Sequence, residues 1–182
     1  MKKYYENELK VLDINVSSSV AILESIGAKL VYNGIRNIST YDTLDLELKK
    51  KDILLRLTNE GKIKLTVHVG NSRSDRDVIR IHPGNSEEIC NDFLQSIGFI
   101  KQTSVESHRI SYELNGMDFD IDCFPKIPPF MEIDMSNSIY DITQLKKILC
   151  IKNNTIIRCG TEAIFERYGL DYYEIFKTHI KK

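Results

Sequence analysis

Glu6, Glu8 and Lys10 alternate along a stretch, Tyr4 to Leu12, that reads as one β-strand. Side chains two apart on a strand share a face, so two carboxylates and an ammonium point the same way. Carboxylates this close repel unless a cation or water relieves them. A divalent metal would do so, because hard cations take carboxylate oxygens. A solvated edge strand would carry the same pattern, so the choice falls to the rest of the chain.

Three further stretches repeat the arrangement of one charged and one apolar face. From about Asp52 to Val69, Arg56, Thr58, Lys62, Lys64, Thr66 and His68 share one parity, and Ile53, Leu55, Leu57, Ile63, Leu65, Val67 and Val69 the other. A three-residue loop at Asn59-Glu60-Gly61 keeps both sets in phase and sets Arg56 opposite Lys64. From about Glu106 to Phe124, Asn115-Gly116 is a strong hairpin signal. It pairs Glu113 with Asp118, Ser111 with Asp120 and Arg109 with Asp122, and leaves Ile110, Tyr112, Leu114, Met117, Phe119 and Ile121 on the opposite face. After Pro125, Pro128 and Pro129, a last strand puts Glu132 and Asp134 on one face and Met131, Ile133 and Met135 on the other.

Strands with one charged and one apolar face predict a sheet curled around a polar interior, with helices covering the apolar outside. A charged interior is costly unless it stays wet or holds a ligand of matching charge. Acids able to hold Mg²⁺ or Mn²⁺, beside bases able to hold phosphate oxygens, are the apparatus of polyphosphate chemistry. Lys62, Glu113 and Asp118 lie near turns and read as solvated. His68, closing an alternating strand, reads equally well as a satisfied histidine. Glu6, Glu8, Lys10, Arg56, Arg109, Asp122 and Glu132 are the residues the pattern favours.

The intervening segments supply the covering. Ser17, Ser18 and Ser19 offer N-caps to a helix carrying Val20, Leu23 and Ile26 that Gly27 ends. A strand through Leu30–Tyr32, a turn at Asn33-Gly34 and an extended piece at about Arg36–Tyr41 follow, with a helical turn near Leu44–Leu48. Asn71 to Asp77 is a polar loop, and Val78–His82 a short strand. Ser86 caps a helix whose apolar side is Ile89, Phe93, Leu94 and Ile97, ended by Gly98. Gln-Ser-Ile-Gly at 95–98 echoes Glu-Ser-Ile-Gly at 24–27, a sign of a duplicated strand–helix–strand plan. The C-terminal part, from about 141, reads as helical: Gln144–Leu149, then Glu162–Tyr168 capped by Thr161, then a helix from Asp171 to about Ile180. Ile164, Phe165, Tyr168 and Leu170 read as packing residues.

The 182 residues suit one domain spanning 1–182. Lys and Arg number 25 against 26 Asp and Glu, so no global field recruits nucleic acid or an acidic membrane. Cations and acids are mixed on the same faces, which also speaks against a nucleic-acid surface. The four cysteines, Cys90, Cys123, Cys150 and Cys159, form no Cys-x-x-Cys pair and read as reduced thiols. With no signal-peptide core and no apolar run of membrane length, the expected setting is cytoplasmic. Two chains pairing through the apolar outer face, as a homodimer, would be compatible with the pattern.

At these residues the chain resembles the CYTH domains, or triphosphate tunnel metalloenzymes. The likeness runs from Tyr4 to Asp134. It comprises Glu-x-Glu-x-Lys at Glu6, Glu8 and Lys10, Tyr-Asp-Thr at 41–43, Leu-Arg at Leu55 and Arg56, and Leu-Thr at Leu65 and Thr66. Ile-Gly-Phe at 97–99, Arg-x-x-Tyr at Arg109 and Tyr112, Asp122, and Glu132-Ile133-Asp134 complete it, the last preceded by Pro128-Pro129 as in a bacterial branch of that family. The resemblance implies an α+β fold, an antiparallel eight-stranded β-barrel (tunnel) with helices packed outside, working on a small-molecule triphosphate with Mg²⁺ or Mn²⁺. By carry-over Glu6, Glu8, Glu132 and Asp134 would hold metal, and Lys10, Arg56 and Arg109, with Lys64 and His68, phosphate oxygens. Asp122 would orient water. Where the family often carries cations, this chain has Thr58, His68 and Ser107. Lys64 faces the right way to compensate; the faces of Arg36 and Arg80 are not fixed by parity. Three functions fit: hydrolysis of an inorganic, thiamine or nucleoside triphosphate, a class IV adenylyl cyclase, or a phosphate-binding module without turnover.

Overall fold

The computed structural model describes residues 4–5, 7–70, 77–84, 86–135, 142–151 and 155–178. Glu6 and the loop expected at 71–76 lie outside the described residues. The first extended segment is split into β1 (Tyr4–Tyr5) and β2 (Glu8–Val11). Then come α1 (Val16–Ser25), β3 (Lys29–Asp42), α2 (Glu47–Lys50), β4 (Ile53–Asn59), β5 (Ile63–Val69), β6 (Asp77–Ile81) and α3 (Glu87–Ser96). β7 (Ile100–Leu114), β8 (Met117–Cys123), β9 (Phe130–Asp134), α4 (Ile142–Ile148), β10 (Ile156–Ile157), α5 (Thr161–Arg167) and α6 (Tyr172–Phe176) complete the chain.

Every strand pairing is antiparallel, in the order β1-β6-β5-β4-β3-β7-β8-β9-β2-β10. β1 and β2, at opposite ends of this order, are pieces of one segment. Tyr4 and Tyr5 pair with Val78 and Asp77, while Glu8–Val11 pairs with Met131–Asp134. The three residue steps from Tyr5 to Glu8 span at most about 11 Å, so this segment joins β6 to β9 and closes the ribbon into a ring. Taking β1 and β2 as one strand, with β3 through β9, the ring has the eight strands expected. β10 is an addition that the sequence reading placed in helix. It pairs with Lys10 and Val11 on the edge of β2 that β6 does not reach.

Alternation decides what faces outward. On β8, Met117, Phe119 and Ile121 are fully buried beneath α1 and α4, with Leu23 and Leu145. Phe165 of α5 and Tyr172 of α6 pack with Leu12, Phe124 and Phe130 at one end of the ring. α3 seats Cys90 and Leu94 on Tyr41, Leu55 and Leu57. Burying each such large side chain stabilises the fold by roughly 1.5–3 kcal/mol.

Several local expectations are corrected. The cap of α1 is Asn15, whose Oδ1 accepts from the Ser18 N–H at 2.9 Å; the three serines fall inside the first turn. Asn33-Gly34 makes no turn, because β3 runs on through it, paired with β7 from Lys29↔Glu113 to Asp42↔Ile100. Gly34 is needed for a close approach instead. A Cβ there would lie 3.1 Å from the Tyr32 hydroxyl, which bends back to donate to the Ile35 carbonyl. The β4–β5 loop is Glu60-Gly61-Lys62, so Arg56 faces Thr66 and Thr58 faces Lys64. The register is two residues away from that expected, and an even slip keeps every side chain on its predicted face. On α3, Ile89, Phe93 and Ile97 are 55–58% exposed. They follow one another at four-residue steps, one residue (about 100°) round from the Cys90/Leu94 stripe that makes the contact. Thr161 opens α5 without capping it, Gly160 being the N-cap residue, and α6 ends at Phe176, short of Ile180. No helix is long and apolar enough to cross a membrane among the described residues.

Candidate functional site

The inward faces build rows of charge around the wall. Ser111, Asp120, Glu132 and Lys10 are successive cross-strand neighbours on β7, β8, β9 and β2. In the row below, Glu113, Asp118, Asp134 and Glu8 follow one another. Acids thus stand directly opposite acids, Asp120 against Glu132 and Asp118 against Asp134, an arrangement that destabilises unless cations intervene. Burial, with repulsion from Glu132 and Asp122, pushes the Asp120 carboxyl above its ordinary pKa even though Arg109 pulls it down. Burial, Asp120 and Asp134 do the same to Asp118.

Two cations answer these acids. Lys10, 3% exposed, places Nζ 2.8 Å from Glu132 Oε2 and 3.6 Å from Glu8 Oε2. Burial works against the ammonium, but Glu132 and Glu8 outweigh it and raise its pKa above the ordinary value. Burial likewise favours a protonated Glu132, yet Lys10, Arg109 and Arg36 together hold its carboxyl well below the usual range. Arg109 Nε donates to Asp122 Oδ1 at 2.6 Å, Nη2 also meets Asp122, and Nη1 reaches Asp120. This two-pronged geometry matches the guanidinium fork to a carboxylate.

Arg36 extends the cluster. Its Nη1 lies 3.4 Å from Asp122 Oδ1 and its Nε 3.2 Å from Glu60 Oε2. Glu60 comes from the β4–β5 loop, where Gly61 at φ +75° turns the chain beneath the Tyr32 ring. Its side chain is 11% exposed and also meets Lys64. Arg36, Arg109 and Lys64 lower its pKa against the opposing effect of burial. Arg36 itself is lowered by burial and by repulsion from Arg109 and Arg56.

The interior therefore divides. Around Asp122, the groups Arg109, Arg36, Glu60, Lys64 and Asp120 are knitted into ion pairs. Beside them a cavity of about 70 Å³ is lined by Glu8, Lys10, Arg36, Arg56, His68 and Glu132, with Tyr172 and the start of α5 at its rim. Arg56 makes no ion pair among the described residues, and its Nε is buried without a hydrogen-bond partner. The same holds for the buried hydroxyl of Thr58. A larger cavity of about 810 Å³ shares Thr40, Leu54, Glu162 and Tyr172 with the first and opens beyond them.

Of the residues proposed from the sequence, Glu8, Lys10, Arg56, His68 and Glu132 line one cavity. Arg109, Lys64 and Asp122 lie in the paired cluster, with Asp122 completely buried. Asp134 sits opposite Glu8, and Glu6 lies outside the described residues. No three Asp, Glu, His or Cys side chains stand close enough to hold a metal among the described residues. Arg36, Glu60 and Tyr172 were not among the proposed residues. Arg36 could be assigned a face only through the register shift between Leu30 and Tyr32. Glu60 was read as part of a turn, and Tyr172 fell within the last expected helix with no role assigned to it. Arg80, the other unassigned cation, is exposed.

No protein-family model matches the sequence, and no curated protein matches it. Solved structures do match in shape. A putative adenylate cyclase from Vibrio parahaemolyticus superposes with a TM-score of 0.65 over 99% of this chain and 96% of its own, at 16% identity. Another putative adenylate cyclase, from Bacillus halodurans, gives 0.55 over 92% and 99%, at 14% identity. A putative adenylyl cyclase from Hippeastrum, described as having a dominant triphosphatase activity, gives 0.57 over 93% and 97%, at 14% identity. The chain shares the antiparallel α+β fold of these structures.

Proposed function

We propose that the tunnel binds a small-molecule triphosphate together with Mg²⁺ or Mn²⁺ and hydrolyses it. Arg56 carries the reading. A buried guanidinium nitrogen without an acceptor costs about 1–3 kcal/mol or more, and phosphate oxygens are acceptors that match its planar fork.

Charge supports a metal. Setting aside the exposed Glu113 and Asp118, the ion-paired and cavity-lining residues named above give five cations, Lys10, Arg36, Arg56, Lys64 and Arg109, against six carboxylates, Glu8, Glu60, Asp120, Asp122, Glu132 and Asp134. A triphosphate adds about four negative charges, more than these side chains can neutralise. The donor chemistry fits a hard cation: Glu8 and Glu132, on facing strands, already converge on one positive charge, the Lys10 ammonium. Those two would hold the metal, its remaining positions being filled by water and phosphate oxygens. Bound there, a divalent cation supplies Lewis-acid polarisation of a phosphoryl oxygen. Lys10, Arg36 and Arg56 hold and orient the phosphate chain, and His68 in the cavity wall can donate a hydrogen bond to it or carry a proton. Asp122, with both oxygens engaged, keeps Arg109 and Arg36 in place. Arg36, which lines the cavity, offsets the cations lacking at Thr58, His68 and Ser107.

Orthophosphate release from tripolyphosphate and from thiamine and nucleoside triphosphates, across a metal series, tests the proposal. Glu8→Gln should lower the rate on the order of 100-fold. No orthophosphate from any substrate–metal pair overturns hydrolysis. Cyclic AMP and pyrophosphate from ATP would mark a cyclase, and binding without turnover a sensor.

A further inference from the structure

We propose that two copies of this chain pair through α3, the two helices crossing antiparallel about a two-fold axis at Phe93. The pairing is independent of what the tunnel binds. It starts from Ile89, Phe93 and Ile97, which remain 55–58% exposed on a helix that already lies against the sheet.

The way α3 is held explains where this stripe points. Cys90 and Leu94 face the sheet, and Asn91, on one flank, accepts a hydrogen bond from the Tyr41 hydroxyl of β3 at 3.1 Å. The opposite flank, which carries Ile89, Phe93 and Ile97, is thereby turned toward β5 and β6. On β6, Ile81 is 53% exposed, and its cross-strand partner Leu65 packs in the cluster beneath α3. Helix flank and strand end therefore present apolar surface on the same side of the barrel. Glu88, Asp92 and Ser96, all exposed, form the next row of the helix and give the stripe a polar rim.

Area and symmetry identify the occupant. Four large side chains, each about half exposed, present roughly 400 Å² of apolar surface. One partner in a standard interface buries about 800 Å², a little over half of it apolar. The patch thus matches one side of a modest dimer. The residue order selects a second copy over a different protein, because Ile-x-x-x-Phe-x-x-x-Ile reads the same in both directions. A two-fold axis at Phe93 lays Ile89 beside the partner's Ile97 and sets the two phenyl rings together, the self-complementarity that an isologous contact requires. Side chains four apart form a ridge of the kind that packs between the ridges of a facing helix. The same axis brings Glu88 to the partner's Ser96, an uncharged group. The other exposed apolar group, Leu30, Val31 and Ile35 on β3, has no such mirror order and is interrupted by the register shift after Leu30.

Sedimentation equilibrium of the full chain tests the pairing. At about 100 µM the mass should be twice 21.0 kDa. Phe93→Glu and Phe93→Lys, each alone, should weaken association at least about tenfold. Their circular dichroism and thermal unfolding should match the parent's, because this side chain lies outside the core. Mixed in equal amounts, the two variants should recover the dimer, since the axis places opposite charges face to face. Ile35→Glu, at a position 51% exposed on β3, should leave association intact. A 21.0 kDa species at about 100 µM overturns the proposal. So does a dimer dispersed by Ile35→Glu and not by Phe93→Glu, or a failure of the two Phe93 variants to pair when mixed.

Discussion

Two neighbouring parts of one tunnel treat buried charge in opposite ways. Around Asp122, Arg109 and Arg36 each face a carboxylate from a different strand, and Glu60 returns from a loop to meet Arg36 and Lys64. Beside them, Arg56 keeps a buried guanidinium nitrogen without a hydrogen-bond partner among the described residues. Ion pairs completed within the chain fix the wall's shape, and Arg36, paired with Asp122 and Glu60 but also lining the cavity, belongs to both parts. A cation left open destabilises the free protein slightly and gives that energy back on binding. Counting inward cations would have merged these two populations; their partners separate them.

Substitutions on either side should break the symmetry differently, the largest effect being on folding at the paired cluster. Asp122→Ala leaves two buried guanidinium groups without their shared carboxylate, and denaturant unfolding should show a loss of about 3–5 kcal/mol. A loss under about 1 kcal/mol would mean the cluster is already solvated. Arg56→Ala should do the reverse, leaving stability near that of the parent while removing roughly 1.5–3 kcal/mol of tripolyphosphate affinity by calorimetry. Glu60→Gln sits between them. It frees Arg36 and Lys64 of a competing anion, so phosphate binding should tighten by about 1 kcal/mol while the midpoint of unfolding falls. Weaker binding in that variant would show that Glu60 only holds Arg36 in position.

Acid should blunt the contrast, with the smallest effect. The folded Glu132 carboxyl titrates below its ordinary value of 4.5. The stability it contributes is therefore complete above that pH and is lost as pH falls through the folded value. Asp120, shifted upward, takes its proton more readily in the folded state and works in the opposite sense. Glu132→Gln should accordingly flatten the dependence of unfolding free energy on pH below about 4.5; an unchanged slope would place the acid sensitivity elsewhere.

Much of the wall was legible because parity survives errors of register. Asn115-Gly116 carries φ values of +51° and +77°, and every pair drawn from it, Arg109 with Asp122 included, is present. The β4–β5 hairpin was misplaced by two residues and still put Arg56, Lys64 and His68 inside. Parity fails at a bulge, which is why Arg36 could not be assigned. It is also silent about loops, so Glu60, at a hairpin tip, was invisible as an interior group. Turn chemistry misled at Asn33-Gly34, where a partner strand along the whole of β3 outweighs the local preference of the dipeptide. The two cavities depend on helices from the end of the chain meeting strands from its start, a contact no local pattern encodes.

The split first strand has a consequence for how the molecule is made. Its residues leave the ribosome before any other part of the barrel, yet β1 must await β6, and β2 must await β9 and β10, up to Ile157. Contacts of such sequence separation form slowly and late. Until then the segment bearing Lys10 has no partner strand, and the acids of β8 and β9 lack their lysine. The last seam to be sewn is the one that brings Lys10 to Glu132, so that buried pair cannot form until the chain has been synthesised past Asp134.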